Sequence, residues 1–182
     1  PYLKKLNESL NGFTKTFLLW QEKNILWIGT DRDGLFKYNV NTSELKHFKY
    51  ESRKGALSHP HISELMLDKQ GRLWVGTPSG INLFLEDKDE FISWNVNIET
   101  KNGLKNDYIS ALFNDSKGEV WIATESGLYQ YNEQNQTIES YFQDDAQVHS
   151  LNGIQINAFS EDEGGNIWLG TRNGIFKMIY TD

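Results

Sequence analysis

The sequence predicts an all-β protein assembled from four copies of one small antiparallel sheet. Four tryptophans recur at intervals of 47 residues along the 182-residue chain, namely Trp27, Trp74, Trp121 and Trp168. Each lies in a short apolar segment flanked by turn residues, and no segment shows the 3.6-residue period of a helix long enough to matter. An aromatic content of 13% with 15 glycines and 3 prolines is typical of short strands joined by tight turns.

The first strand of each copy ends at a hairpin turn. In three copies an aspartate lies six positions before the tryptophan, and a glycine follows it three positions later. These residues are Asp68, Asp115 and Asp162, with Gly71, Gly118 and Gly165. Asp first and Gly fourth favour a turn in which the carboxylate bonds to backbone N–H groups and glycine takes positive φ. Copy 1 lacks this pair and has Asn24 at the glycine position, and asparagine tolerates that conformation.

The second strand carries the tryptophan, and two more strands follow it. The tryptophan segments read ILWIGT, RLWVGT, EVWIAT and NIWLGT, and their continuous apolar residues indicate a strand covered on both faces. The final threonine of each segment is expected to bond backbone at the strand end. A third strand opens after a glycine, as in 35–38, and a polar turn leads to a fourth, as in 91–96.

Stacking around a common axis explains why such sheets are apolar on both faces. One four-stranded sheet cannot cover itself, whereas neighbours in a ring cover one another, and this is the arrangement of β-propeller blades. The sequence therefore predicts a propeller of four blades, with the tryptophans packed between blades and the aspartates capping turns. The blades are placed at about 10–50, 57–97, 104–144 and 151–182, and a strand at 1–6 could complete the last one.

Composition excludes several classes of function. The net charge of −7 argues against a nucleic-acid partner, because phosphate binding needs clustered Lys and Arg. Without cysteine there is no disulfide, thiolate metal site or cysteine nucleophile. His59 and His61 have a spacing that some metal sites use, but two histidines without a third ligand are a weak signal. The sequence thus predicts no metal, no cofactor and no membrane span within this segment.

The repeats resemble a known family. The segments LWIGTDRDGLFKYN, LWVGTPSGINLF, VWIATESGLYQYN and IWLGTRNGIFKM are similar to the two-component regulator propeller repeat. The resemblance recurs four times and covers nearly the whole chain. The departures are Ala123 in place of the motif glycine, one extra residue in 31–33, and the missing turn pair of copy 1.

The resemblance implies a sensor. Repeats of this family form extracytoplasmic, periplasmic propellers of hybrid two-component systems in Bacteroidetes, where they detect glycan fragments and signal to a histidine kinase. They usually have seven blades, so this segment is expected to be a non-catalytic part of a larger propeller, linked to the membrane only through the full-length protein. Four such blades have the wrong wedge angle to close alone. The resemblance therefore favours self-association or docking of the remaining blades.

A binding site is expected where the copies differ. The packing requirements are the same in every copy, whereas a ligand lacks this repeat and contacts different residues in different copies. The loops between second and third strands share one face with the links that enter the next blade, and loops on a rigid scaffold usually carry binding. Sugar recognition uses flat aromatic faces and forked polar groups such as arginine. The candidates for an oligosaccharide site are Arg32, His61, Tyr108 and Arg172.

Two other functions compete with the sensor. A free-standing lectin would repeat its binding residues in every copy, and these loops differ instead (Asp-Arg-Asp, Pro-Ser, Glu-Ser and Arg-Asn). A lyase-type propeller enzyme would need an acid/base pair on this face, and His59 and His61 are the candidate bases. No catalytic partner for them is identifiable in the sequence.

Overall fold

The computed structural model describes residues 10, 15–21, 24–95, 104, 108–141 and 154–178. All regular structure in these ranges is β-strand, arranged as four antiparallel sheets that follow chain order. The all-β prediction is therefore confirmed. Within these ranges there is also no helix long and apolar enough to cross a membrane. The strand proposed at 1–6 lies outside the described residues.

Each sheet is numbered as a blade, and its strands are hydrogen-bonded in sequence order. Blade 1 contains β1 (Lys15–Gln21), β2 (Ile25–Thr30), β3 (Leu35–Asn39) and β4 (Leu45–Phe48). Blade 2 contains β5 (Glu64–Leu67), β6 (Leu73–Thr77), β7 (Gly80–Leu85) and β8 (Glu90–Trp94). Blade 3 contains β9 (Ile109–Asn114), β10 (Val120–Thr124), β11 (Gly127–Asn132) and β12 (Thr137–Ser140). Blade 4 contains β13 (Ile156–Glu161), β14 (Ile167–Thr171) and β15 (Gly174–Lys177).

The turn between the first two strands ends on a residue with the same left-handed conformation in all four blades. The fourth turn residue has positive φ in each, with values of 61° at Asn24, 76° at Gly71, 89° at Gly118 and 76° at Gly165. Asparagine in copy 1 thus takes the left-handed conformation that glycine takes elsewhere. The shared geometry keeps the two strands of every hairpin in one register despite the altered sequence of copy 1.

The blades pack face to face in chain order, as propeller blades do. Three hydrophobic clusters, each made of residues from two successive blades, fill the interfaces between those blades, which we call seams. In the first seam Trp27 contacts Phe84 of blade 2 edge-on at 5.0 Å between ring centroids. In the second, Trp74 meets Tyr131 of blade 3 at 4.9 Å. Aromatic pairs in this geometry add to the free energy gained from apolar burial.

The two end faces of the stack differ in exposure. On blade 1, Leu10 packs with Ile28, Phe36 and Tyr38, and all four side chains are buried. On blade 4, Trp168 is 37% exposed, whereas Trp27, Trp74 and Trp121 at the equivalent positions of blades 1 to 3 are almost fully buried. The sequence assigned all four to packing between blades, and Trp168 departs because no described residue of a following blade covers it.

Candidate functional site

The turn aspartates bind the tryptophan of the same blade as well as the turn. Asp115 accepts the N–H groups of Lys117 and Glu119 on Oδ1, at 3.0 and 2.9 Å. Its Oδ2 accepts the indole N–H of Trp121 at 2.9 Å. Asp68 and Asp162 make the equivalent indole bonds at 2.9 Å, and in copy 1 the Gln21 amide oxygen takes this place at 2.8 Å. The constant spacing of six residues from aspartate to tryptophan is therefore a hydrogen-bonded unit.

At the other end of the second strand, a threonine holds the loop to the third strand. Thr30, Thr77, Thr124 and Thr171 each donate their hydroxyl to the carbonyl of the glycine that follows the loop, at 2.8 to 3.4 Å. Each hydroxyl also accepts a backbone N–H from within the loop, at 2.9 to 3.2 Å. The threonines thus fix the start and end of every loop, and the loop side chains between them can differ from blade to blade.

The first of these loops contacts the link that enters the next blade, and the third borders a cleft with the following link, as the sequence predicted. We call this surface the loop face, comprising residues 31–34, 78–79, 125–126 and 172–173 with the links 51–61 and 154–155. The Gly34 N–H donates to the Pro60 carbonyl at 2.8 Å, and Ile62 donates to Thr30 at 2.9 Å. Link residues Lys101, Asn102, Asn106 and Asp107 lie outside the described residues.

Asp31 joins two of the candidate residues on the loop face. His61 Nδ1 lies 2.8 Å from Asp31 Oδ1 and 3.1 Å from the Asp31 carbonyl oxygen. Both of these groups are acceptors, so Nδ1 carries the proton and Nε2 is the acceptor nitrogen of the neutral ring. Arg32 Nε lies 3.3 Å from Asp31 Oδ2, and its side chain is 87% exposed. Arg32 and His61 thus share one carboxylate, in the loop that is one residue longer than in the other copies.

The neighbouring histidines have backbone partners. His59 Nδ1 accepts the His61 N–H at 3.0 Å, which places the proton of the neutral ring on Nε2. His47 stacks on Phe36 at 3.9 Å and lies 2.5 Å from the Asp33 carbonyl oxygen through Nε2. In the described part of the chain, no group of three or more His, Asp and Glu side chains is placed to hold a metal ion.

Arg172 lines a second site, at the seam between blades 3 and 4. It borders a cleft of about 250 Å³ together with Glu125, Ile154, Gln155 and Asn173. Nearby, the Ser126 hydroxyl is buried without a hydrogen-bond partner. The cleft thus offers a guanidinium, a carboxylate and two amides, which is a set suited to a polar ligand of several hydroxyl or carboxyl groups.

The four candidates do not form one cluster. Arg32 and His61 lie together between blades 1 and 2, and Arg172 lies between blades 3 and 4. Tyr108 is exposed just before β9 of blade 3. The loop face therefore carries separate polar patches in different seams, and the assignment of any of these side chains to a ligand stays a prediction.

Two polar groups, one buried and one partly buried, escape sequence reasoning. Asn82, fully buried in β7, binds the Ser58 N–H, the Val75 carbonyl and the Ser93 hydroxyl at 2.8 to 3.0 Å. It stands where blades 1 and 3 have aromatic residues, so comparison of the copies could have found it. Glu64 in β5 shares a strand face with Met66, which packs in the seam with blade 3. Burial raises the pKa of Glu64 to about 7, against a smaller lowering by a backbone hydrogen bond at Leu65.

Another cavity lies at the opposite end of the blades from the loop face. It has a volume of about 430 Å³ between blades 1 and 2, and it includes Gln21, Leu67, Lys69 and Glu86 in its wall. Gln21 spans the seam by donating its amide N–H to the Gly71 carbonyl at 3.1 Å. None of the candidate residues borders this cavity.

Comparison with known proteins gives the same repeat. A family model described as "Two component regulator propeller" matches residues 56–79, 103–126 and 150–173. These spans contain the end of each link, the first hairpin and the tryptophan strand of copies 2 to 4. Copy 1, with its altered turn and extra loop residue, is outside the matched spans.

The similar proteins include signalling proteins and one designed protein. A curated relative, "Histidine kinase P4" of Formosa agariphila, is 33% identical over 81 residues, which is 42% of this chain and 6% of that protein. The extracellular domain of the putative hybrid two component system BT4673 from B. thetaiotaomicron has a TM-score of 0.73 at 21% identity, covering 92% of this chain and 21% of that one. The computationally designed Ika4 protein has a TM-score of 0.62 at 14% identity, with 94% of each chain covered.

Proposed function

Because this chain carries repeats of the two component regulator propeller family, we propose that it is part of the extracytoplasmic sensor of a two-component system. Its loop face would bind an oligosaccharide in the periplasm, and the larger protein would pass the signal to a histidine kinase. The observation that carries the proposal is the repeat itself, matched in three copies. The curated histidine kinase and the extracellular domain of BT4673 support the signalling context. The chain spans only 6% and 21% of those two proteins.

The contrast between the two ends of the blades supports the loop face as the binding surface. At the hairpin end, aspartate, glycine and tryptophan recur with one geometry, which is the mark of a structural requirement. At the loop end, the threonines recur and the side chains between them differ from blade to blade. A single asymmetric ligand can use such differences, whereas the hairpins repeat the same aspartate and glycine in three of the four blades.

Two arginines of the loop face favour an oligosaccharide that carries carboxylate or sulfate groups. Arg32 is held at Asp31 through Nε, which leaves the outer edge of its guanidinium toward solvent. Arg172 lies in its cleft beside the amides of Gln155 and Asn173. Arginine binds planar anions through two parallel hydrogen bonds, and amide groups suit sugar hydroxyls. Two such sites on one face would hold two parts of an extended ligand.

The test is calorimetric titration of the chain with acidic and neutral oligosaccharides. Uronic-acid-containing and sulfated oligosaccharides are expected to bind, and Arg172→Ala and Arg32→Ala should each weaken binding by about tenfold or more, the loss expected for a charge-assisted hydrogen bond. Lys88→Ala is the matched control, because Lys88 is an exposed cation at the hairpin end. Binding to none of these compounds, or equal losses in all three variants, would contradict the proposal.

A further inference from the structure

The ring of His61 has one nitrogen that changes from acceptor to donor when the ring takes up a proton. In the neutral ring Nδ1 carries the hydrogen, because it faces the carboxylate and the carbonyl oxygen of Asp31. Nε2 then has a lone pair, has no hydrogen-bond partner among the described residues and reaches solvent. Imidazole is the side chain that normally changes charge between roughly pH 5 and pH 8, and its protonation makes Nε2 a second N–H donor. This nitrogen therefore opposes an oxyanion in the neutral ring and attracts one in the protonated ring.

The charge of Arg32 is compensated by the same carboxylate. Arg32 Nε lies 3.3 Å from Asp31 Oδ2, and its side chain is 87% exposed. We call the side chains of Asp31, Arg32 and His61 the first-seam cluster. Their charges sum to zero while the imidazole is neutral, and a proton on His61 raises the sum to one positive charge. The cluster thus gains both a donor and a net charge in one step.

Backbone hydrogen bonds across the first seam hold the cluster in place. The Gly34 N–H donates to the Pro60 carbonyl at 2.8 Å, just before His61 in the link. The Ile62 N–H donates to the Thr30 carbonyl at 2.9 Å, just after it. The loop and the link cannot separate without breaking these bonds. An anion therefore meets donors that are already positioned, and less ordering is needed when it binds.

The other titratable groups of this loop and link have partners of their own. His59 accepts a backbone N–H of the link on Nδ1 at 3.0 Å. His47 lies 2.5 Å from the Asp33 carbonyl oxygen through Nε2, and Asp33 adds one more carboxylate to the loop. Arg53, earlier in the link, is paired with Glu51. His59 is thus a second imidazole in the link, and an experiment must separate its proton from that of the cluster.

Glu64 is the other group that titrates in the same range of pH. Burial raises its pKa to about 7. It lies in β5, on the face of blade 2 that packs against blade 3, and so belongs to the second seam. It must also be tested, because loss of its proton adds a negative charge to the protein as the pH rises.

The equivalent positions of the later seams have no histidine. Tyr108 and Gln155 stand where copy 2 has His61, and neither side chain gains a positive charge when the pH falls. The cleft beside Arg172 is lined by carboxylate, amide and aliphatic side chains among the described residues, without an imidazole. The two arginines of the loop face therefore differ, since only Arg32 shares its carboxylate with a group that titrates near neutral pH.

We propose that the first-seam cluster is a proton-linked oxyanion site. It binds a sulfate or carboxylate group between the Arg32 guanidinium and the Nε2–H of His61, and it takes up a proton together with the anion. Binding is therefore tighter at acid pH. The inference deepens the proposed function by adding control by pH, and it rests on that function only for the source of the anion.

Inorganic sulfate is the probe, because it is a dianion throughout this range and any change with pH belongs to the protein. Its binding to the full chain is followed in proton–nitrogen NMR spectra, through the backbone and Arg32 side-chain signals of residues 31–34. The titrations are made at about pH 5.5 and about pH 7.5, on either side of the usual imidazole midpoint, with sodium chloride keeping the ionic strength constant. Sulfate should bind about tenfold more tightly at the lower pH, which is the ratio of protonated fractions expected for an imidazole.

Three glutamine variants identify the group that takes up the proton. His61→Gln should abolish the ratio and leave, at both pH values, the weak affinity that the unaltered chain has at the higher one. His59→Gln and Glu64→Gln are the matched controls, because each removes one other titrating group, and the ratio should persist in both. The same spectra show whether each variant is folded.

An asparagine variant separates this role from a merely structural one. Asp31→Asn should tighten sulfate binding at the higher pH, because Arg32 loses its opposing charge while the amide oxygen still accepts the Nδ1–H of His61. A residue that only shaped the loop would weaken binding when replaced. Weaker binding in this variant would overturn the inference, as would equal affinities of the unaltered chain at the two pH values, no binding at the lower one, or a ratio that survives His61→Gln.

A sulfated oligosaccharide, titrated and followed in the same way, distinguishes this inference from the proposed function. It should show the same ratio between the two pH values, at a higher affinity than inorganic sulfate. An affinity no higher than that of sulfate would contradict a sugar as the source of the anion and leave the proton linkage standing. Tighter binding that does not change with pH would contradict the proton linkage and leave the sugar ligand standing.

Discussion

Replacing the buried turn aspartate of blade 3 should destabilise the protein far more than replacing its exposed counterpart in blade 4. Asp115 is almost fully buried, and it accepts two turn N–H groups and the indole N–H of Trp121. Asp115→Ala removes the acceptor oxygens of all three hydrogen bonds. In the variant, the N–H groups of the hairpin turn can hydrogen-bond to water instead, whereas the indole N–H of the buried Trp121 cannot.

The expected loss follows from that difference. A buried donor left without an acceptor costs about 1–3 kcal/mol, and loss of the charged turn bonds adds roughly 1 kcal/mol more after replacement by water. Asp115→Ala should therefore lower the free energy of unfolding by about 2–4 kcal/mol. That is a large part of the ~5–15 kcal/mol available to a typical domain. Urea unfolding measures it as a lower midpoint at unchanged slope.

Asp162→Ala is the matched control, because Asp162 makes the same three hydrogen bonds at a solvent-exposed position. Asp162 accepts the N–H groups of Gly164 and Asn166 and the indole N–H of Trp168 at 2.9 to 3.0 Å. The indole bond, followed by those from Asn166, lowers the pKa of Asp162 to about 2. Since water reaches Trp168, the loss should be much smaller than for Asp115. Equal losses in the two variants would refute the reasoning from burial.

Two further predictions concern pH and backbone conformation. The pKa of Glu64 is about 7 in the folded chain and near 4.5 unfolded, so the folded state binds more protons between these values and stability should fall as pH rises from about 4.5 to 7. Glu64→Gln should flatten the dependence of the urea midpoint over this window, and an unchanged slope would contradict the assignment. Gly80→Ala should lower the melting temperature more than Gly118→Ala, as thermal unfolding would show. Both glycines have positive φ, but only at Gly80 would a Cβ clash with backbone, at the Trp94 carbonyl, and equal losses would count against this.

The sequence was sufficient to predict the strands because the packing requirements repeat. Each tryptophan strand must be apolar on both faces, and each hairpin needs a residue that tolerates positive φ, so the pattern reports structure at a fixed interval. The same logic could not distinguish Trp168 from Trp74. Their local sequences are alike, and their exposure differs only because a blade follows one of them within the described residues and not the other.

The candidate site was less predictable because it depends on contacts between copies. The loop residues were identified by their variation, but the pairing of His61 with Asp31 crosses from one blade to the next. The separation of Arg172 from Arg32 likewise follows from the number of blades between them. The repeat pattern gives the separation of such residues along the sequence. Their distance in space depends on the angle between adjacent sheets, which the sequence pattern does not give.

The threonine contacts have a consequence for how this surface can change. Because Thr77 and Thr124 hold both ends of their loops through the same two hydrogen bonds, the residues between them can be exchanged with little effect on the strands. Loops of equal length should therefore be interchangeable among blades. New specificities could then be grafted onto one rim of the protein while its hydrophobic interior stays as it is.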